Sequence, residues 1–268
     1  MGKSVGYGMS FMNPLRDRGE YSARNSSKGA LIAEAARVVA SLVDGLSIPE
    51  IRLRALEGDL FPQRARSTRE RIWKSLNQRY LAHGIPWVVD ALQKAYKIGP
   101  HSPELISLLY LHYAFRDRLA FDFITQILWD RWQSKSLVVT PEDVKNVLDR
   151  ASESQPQIER WSQTTRDRLC QSIIAALRDF GVLTGTQKKW LQRPMLPLFT
   201  AEHLLRILIA EGVRGMDIIR DKSWRLFLYQ EHEVSDILGK LAQQRSIRYE
   251  RVGSTVVLDT PPEWEEGV

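Results

Sequence analysis

One cysteine, Cys170, stands in a chain of 268 residues, which excludes an intramolecular disulfide framework and any cysteine-rich zinc site. Long apolar runs are missing too. The longest uncharged stretch, Ser4 to Leu15, carries two glycines and a proline and is shorter than the roughly 18 to 20 residues a membrane-spanning helix needs. No apolar segment or small-residue cleavage site follows Lys3, so no secretory signal is expected, and the reading is a cytoplasmic protein without membrane insertion. The five histidines, His83, His101, His112, His203 and His232, show no His-Glu-x-x-His spacing. There is no Gly-x-Ser-x-Gly elbow, and Gly2-Lys3-Ser4 lacks the glycine loop of a phosphate-binding motif. Cys170 falls on the inner side of an amphipathic helix and is expected in the core. No catalytic residue, metal or cofactor is expected.

What is present is ordinary globular material, 43% hydrophobic and 26% charged, with an uneven charge distribution. The net charge of +6 divides into 16 basic and 9 acidic residues over 1–100, 13 and 11 over 101–200, and 9 and 12 over 201–268. Of the 38 basic residues 27 are arginine, whose planar fork suits phosphates and base edges.

Helix signals dominate from Ser26 onward. Leu31, Ile32, Ala35, Ala36, Val39, Leu42 and Val43 repeat at three and four and stop at Gly45. Ser47-Ile48-Pro49-Glu50 and Ser67-Thr68-Arg69-Glu70 read as capping boxes, the second opening a helix to about Leu81. Pro86 starts another, and Ser102-Pro103-Glu104 opens an aromatic-rich helix, kinked near Arg116, to Trp132. Its Tyr110, Tyr113, Trp129 and Trp132 read as a core seam. Thr140-Pro141-Glu142-Asp143 caps a helix to about Ala151, Thr164 or Thr165 caps the next, and Gly181 to Leu196 reads as a hairpin turning at Gly185. Thr200 caps a further helix, one more runs from about Glu233 to Gln243, and Ile247–Arg251 and Thr255–Asp259 form a second hairpin. The predicted fold is therefore all-α with small β-hairpin wings, built from tandem helix-turn-helix or winged-helix-like units. These divide into a mobile arm (1–25), a first helical unit (26–100), a second winged unit (101–198) and a C-terminal winged module (199–268) whose residues 260–268 form an acidic tail.

The second and third of these segments echo one another. Ser67 to Leu76 aligns without gaps on Thr164 to Ile173, with four identities, and each helix follows a shorter one opened by Pro-Glu. At about 100° per residue, Ile72, Trp73, Leu76 and Tyr80 share one side of the first helix, and Arg71, Lys74, Ser75 and Gln78 the other. In the second, Arg168, Gln171, Ser172 and Arg178 face away from Leu169, Ile173 and Leu177. Arg69 and Arg166 fall on the apolar side, where they either snorkel around the first turn or brace the preceding helix. The outer faces mix Arg, Gln and Ser, which bond phosphates and base edges but also suit any solvated helix. Between Phe61 and Lys74 the balance is five basic residues, Arg64, Arg66, Arg69, Arg71 and Lys74, against Glu70 alone. Lys188, Lys189 and Arg193 in the first hairpin, and Arg245, Arg248 and Arg251 around the second, are candidate wing contacts, the latter set offset by Glu250 and the acidic tail.

Ser27-Lys28-Gly29-Ala30-Leu31-Ile32, then Leu60-Phe61-Pro62 with Arg64 and Arg66, Ser67-Thr68 with Arg71-Ile72, Trp161-Ser162 with Thr165 and Leu169, and Phe180-Gly181-Val182-Leu183 follow in an order that resembles the BrxA family of BREX bacteriophage-exclusion systems. The resemblance spans roughly Tyr21 to Leu208. It implies a non-enzymatic, mainly helical protein that binds double-stranded DNA and works with the other BREX proteins, and it supplies no catalytic residue. The expected DNA-binding residues, placed on the basic positions above, are Arg64, Arg66, Arg71, Lys74, Gln78, Arg168, Gln171, Arg178, Lys188 and Lys189. A scaffold that docks other defence components is the alternative, and RNA binding a third reading.

Overall fold

The computed structural model describes residues 15–26, 29–63, 65–253 and 255–264. As expected, it is mainly helical with two small antiparallel sheets. The chain first builds α1 (Ile32–Val43), α2 (Ile48–Glu57), α3 (Arg66–Leu76, continued by a π turn over Asn77–Leu81) and α4 (Pro86–Ile98). The Ser47–Glu50 capping box forms, with the Ser47 amide donating to the Glu50 carboxylate at 2.8 Å. The expected Ser67–Glu70 box does not. Arg69 donates to the carbonyls of Leu56 and Gln63 at 2.8–2.9 Å, which holds the incoming chain close. The helix then starts at Arg66 behind an extended Ala65, and Glu70 pairs with Arg66 one turn back at 3.2 Å.

Next comes α5 (Pro103–Phe115), apolar all round and buried from Ser107 to Phe115, so it occupies the centre with α4 and α10 (Leu198–Ala210) against it. Its Tyr110 and Tyr113 are buried as expected of a core seam, and Trp129 and Trp132 are half-buried. The helix stops at Arg116 because buried Asp117 accepts the Ala120 amide at 3.1 Å and caps a new one. That is α6 (Arg118–Asp122), which continues through a π turn over Phe123–Leu128 into α7 (Trp129–Gln133).

From here strand β1 (Val138–Val139), helices α8 (Pro141–Ala151) and α9 (Gln163–Asp179), and strands β2 (Leu183–Thr184) and β3 (Lys189–Leu191) follow. The N-cap of α9 is Ser162, which accepts the Thr165 amide at 3.2 Å, so Thr164 and Thr165 lie inside the first turn. The sheet order β1-β3-β2 lays β1 along the outer edge of the expected hairpin. A two-residue strand has no periodicity of its own, and β1 was not expected. The hairpin turns at Gly185, at φ +91°; a Cβ there would sit 2.2 Å from the Lys188 carbonyl oxygen, so only glycine fits.

After α10 the chain forms α11 (Met216–Arg220), α12 (Glu231–Gln243) and the expected second hairpin, β4 (Arg248–Val252) with β5 (Thr255–Asp259). Thr200 is not a cap: α10 begins at Leu198, and the buried Thr200 hydroxyl shares a 2.7 Å hydrogen bond with Ser107 of α5. The expected tail is ordered through Trp264, which is buried; residues 265–268 lie outside the described residues.

The expected mobile arm also differs where it is described. From Leu15, itself fully buried, the segment is tied down along its length. Arg16 pairs with Glu211 and with Asp221 (3.1 Å), the Tyr21 amide donates to Gln155 and its hydroxyl to Asp122, and Asn25 joins Asp117 to Arg79. Arg79, 3% exposed, also donates to the carbonyls of Gly29 and Ala30. Residues 1–14 lie outside the described residues. Buried apolar side chains from Leu15 to Trp264 form one continuous cluster, so segments 26–100, 101–198 and 199–268 share a core.

Candidate nucleic-acid interface

Helices α8 and α9 pack against each other because Val144, Val147 and Leu148 of the first and Leu169, Ile173, Ala176 and Leu177 of the second turn inward. Arg166 donates to the Ile158 carbonyl at 2.9 Å, bracing α9 on the segment before it, as Arg69 does for α3 on α2. The two arginines that align in the sequence echo thus do the same work. Cys170 is buried in this seam, its thiol pushed up to about 11 chiefly by burial, so it is held protonated near neutral pH.

With one side committed to the core, the opposite side of α9 presents Arg168, Gln171 and Arg178, all exposed. Spaced three and seven apart, they lie along one stripe. Arg168 has no carboxylate partner among the described residues; Arg178 pairs with Asp179 at 3.0 Å, an exposed contact of little weight. The hairpin that follows carries exposed Lys188 at its turn. Lys189, half-buried, folds back to donate to the carbonyls of Gly185 (3.1 Å) and Thr186.

The first unit holds its own cluster. Arg71 and Lys74 are exposed on the outer face of α3 without carboxylate partners among the described residues, while Ile72, Trp73, Leu76 and Tyr80 are buried, as the periodicity predicts. Arg66 is exposed but engaged with Glu70. Gln78 is half-buried in the π turn, where its backbone carbonyl accepts from Arg116 at 3.2 Å. Arg64 lies outside the described residues. The expected residues therefore fall into three local groups, on α3, on α9 and on the β2–β3 turn.

Several other basic candidates, Arg193, Arg248 and Arg251, are exposed but engaged by partners. Arg193 makes a bidentate pair with Glu233 of α12 at 2.7 and 3.0 Å, donates to the Leu228 carbonyl and lies over the rings of Trp132 and Tyr229. Arg248 is neutralised by Glu250 (2.9 Å) and Asp259 (3.5 Å), and Arg251 donates to Ser235 at 2.6 Å. Glu250 is a near neighbour that a local charge count finds, but Glu233, Asp259 and Ser235 lie eleven to forty residues away and escape one.

The histidines hold a feature that their spacing concealed. His112 and His203 bring their Nε2 atoms to 3.0 Å between α5 and α10, and the His83 ring stacks 6.2 Å from that of His112. All three are buried, and burial holds His83 down to about 4 and His203 to about 3, with His112 also far below its ordinary value. They are neutral core groups.

No helix among the described residues is long and apolar enough to cross a membrane. No curated protein matches this chain. The crystal structure of an uncharacterized protein from Magnetospirillum magneticum shares the fold, with a TM-score of 0.60 at 15% identity, over 79% of this chain and all of that one. The BrxA family model matches residues 19–207, the stretch that holds α1 to α9 and the first hairpin. That is well over half of the sequence, and the chain belongs to the BrxA family, which is associated with BREX phage defence.

Proposed function

We propose that this protein is a non-enzymatic double-stranded DNA-binding subunit of a BREX phage-defence system, and that it works with the other proteins of that system. The observation that carries the reading is the order β1, α8, α9, β2, β3, with β1 paired on β3. That order supports a winged-helix reading, in which the second helix of the pair enters the major groove and the hairpin flanks it. In that arrangement α9 is the recognition helix. Arg168 and Gln171 are its base-edge readers, since arginine bonds guanine and glutamine bonds adenine in bidentate fashion. Lys188 sits where a wing meets the phosphate backbone. Arg66, Arg71 and Lys74 on α3 extend the cationic surface, and Arg64, two residues before this helix in sequence, is a further candidate contact.

A competition binding assay with duplex DNA, single-stranded DNA and RNA at two salt concentrations tests the reading. Duplex is expected to bind best, with log affinity falling linearly with log salt. Equal competition by RNA, or no salt-dependent binding, would overturn it. The scaffold reading is favoured by a different observation, the exposed acidic side chains Glu231 and Asp236 on α12, and stoichiometric co-purification with another BREX protein without DNA would support it instead.

A further inference from the structure

The solvent face of the first sheet carries a large aromatic side chain that the fold does not use. Register places Val138 of β1, Trp190 of β3 and Thr184 of β2 in one row across the three strands. The neighbouring positions Leu183 and Leu191 point inward and are buried. The row points outward instead, with Trp190 47% and Val138 37% exposed. The ring lies over the hairpin turn: a Cβ on Gly185 would come within 3.5 Å of Trp190 Cδ1. Tryptophan offers a large apolar face, and with the exposed Val138 beside it in the same row it forms a small apolar patch suited to a contact.

The charge of the hairpin's own sequence points to what it contacts. From Phe180 to Ala201 there is no acidic residue, and the ring is preceded directly by Lys188 and Lys189. An acidic or neutral protein surface would meet the cations or the ring, but the backbone of DNA offers both partners in alternation, phosphates and the apolar faces of its sugars. We propose that Trp190 packs on the deoxyribose backbone of duplex DNA held by α9, with Lys188 on the adjacent phosphate. This assignment rests on the DNA-binding reading above and makes the hairpin an apolar as well as an ionic contact.

The two contributions separate in a salt titration of duplex binding. A ring contact releases no counterions, so Trp190→Ala should weaken binding about tenfold at every salt concentration and leave the slope of log affinity against log salt unchanged. Lys188→Ala should lower the slope by about one. Trp190→Phe, which keeps a ring, should stay within about threefold of the parent. Trp190→Ala binding as tightly as the parent would overturn the ring contact while leaving the DNA reading intact, whereas absence of salt-sensitive duplex binding by the parent would overturn both. Should Trp190→Ala fail to fold, fluorescence decides the matter: duplex should quench the parent more than Trp190→Phe, and equal quenching in the two would overturn the assignment.

Discussion

The α8–α9–β2–β3 segment and the α11–α12–β4–β5 segment have the same order, two helices and a hairpin, yet they spend their charge in opposite ways. On α9 the outward side chains include Arg168, Gln171 and Arg178, and the hairpin after it is free of acids. On α12 the outward side chains include Glu231 and Asp236, and the arginines of its hairpin are tied to Glu250, Asp259 and Ser235. A helix–helix–hairpin is therefore only a frame. Whether it can approach a polyanion depends on which basic side chains have been left without partners, and only a structure shows that.

The sharpest way to break this contrast is charge reversal on one segment at a time. Replacing Arg168, Arg178 and Lys188 by Glu should lower duplex affinity at low salt by at least a hundredfold, while Arg248→Glu with Arg251→Glu should change it less than threefold; a gel-shift or anisotropy titration compares them. Arg16→Ala should do the reverse, leaving affinity within twofold while destabilising the fold by about 2–4 kcal/mol in urea, because Asp221 loses its cation and Glu211 keeps only the exposed Arg18. An equal loss of affinity would mean that the segment from Leu15 acts on the binding surface.

Acid should act on the shared core and not on the interface. His83, His112 and His203 are held neutral in the folded chain, so below their ordinary value near 6.5 the unfolded chain takes up protons that the folded one refuses. Stability from these groups is complete above pH 6.5 and is lost as pH falls toward about 4, by about 1.4 kcal/mol per pH unit for each histidine that titrates only on unfolding. Denaturation curves from pH 7 to 4.5 measure the slope, and His203→Gln should remove the share of one histidine. The smallest effect expected is that of Ser162→Ala, about 1 kcal/mol for the lost cap of α9, read as a small drop in melting temperature with the duplex salt slope unchanged.

Much of this was legible from residue order because it is local. The Ser47 and Thr140 capping boxes, the inward faces of α3 and α9, both hairpins and the placement of Arg69 and Arg166 on the inner side follow from spacing over a few residues, and the structure decides that the two arginines brace what precedes them. What escaped depends on distance along the chain. Arg16 finds its partners about 200 residues away, so the segment beginning at Leu15 reads as a loose arm although it is docked. Strand β1 exists because β3 offers it an edge, and Arg193 is lost to the candidate interface because α12 brings Glu233 to it. Ser67 carries the signature of a cap, but Arg69 closes the preceding loop and moves the helix start ahead of it.

The central claim, that α9 and its hairpin hold duplex DNA, is tested most directly by the salt dependence of duplex affinity for the parent and for the Arg168→Glu, Arg178→Glu, Lys188→Glu variant, each shown to be folded by its melting curve. The account predicts a linear decline of log affinity with log salt for the parent and a slope shallower by two or more for the variant. Identical slopes and affinities for the two proteins would contradict it.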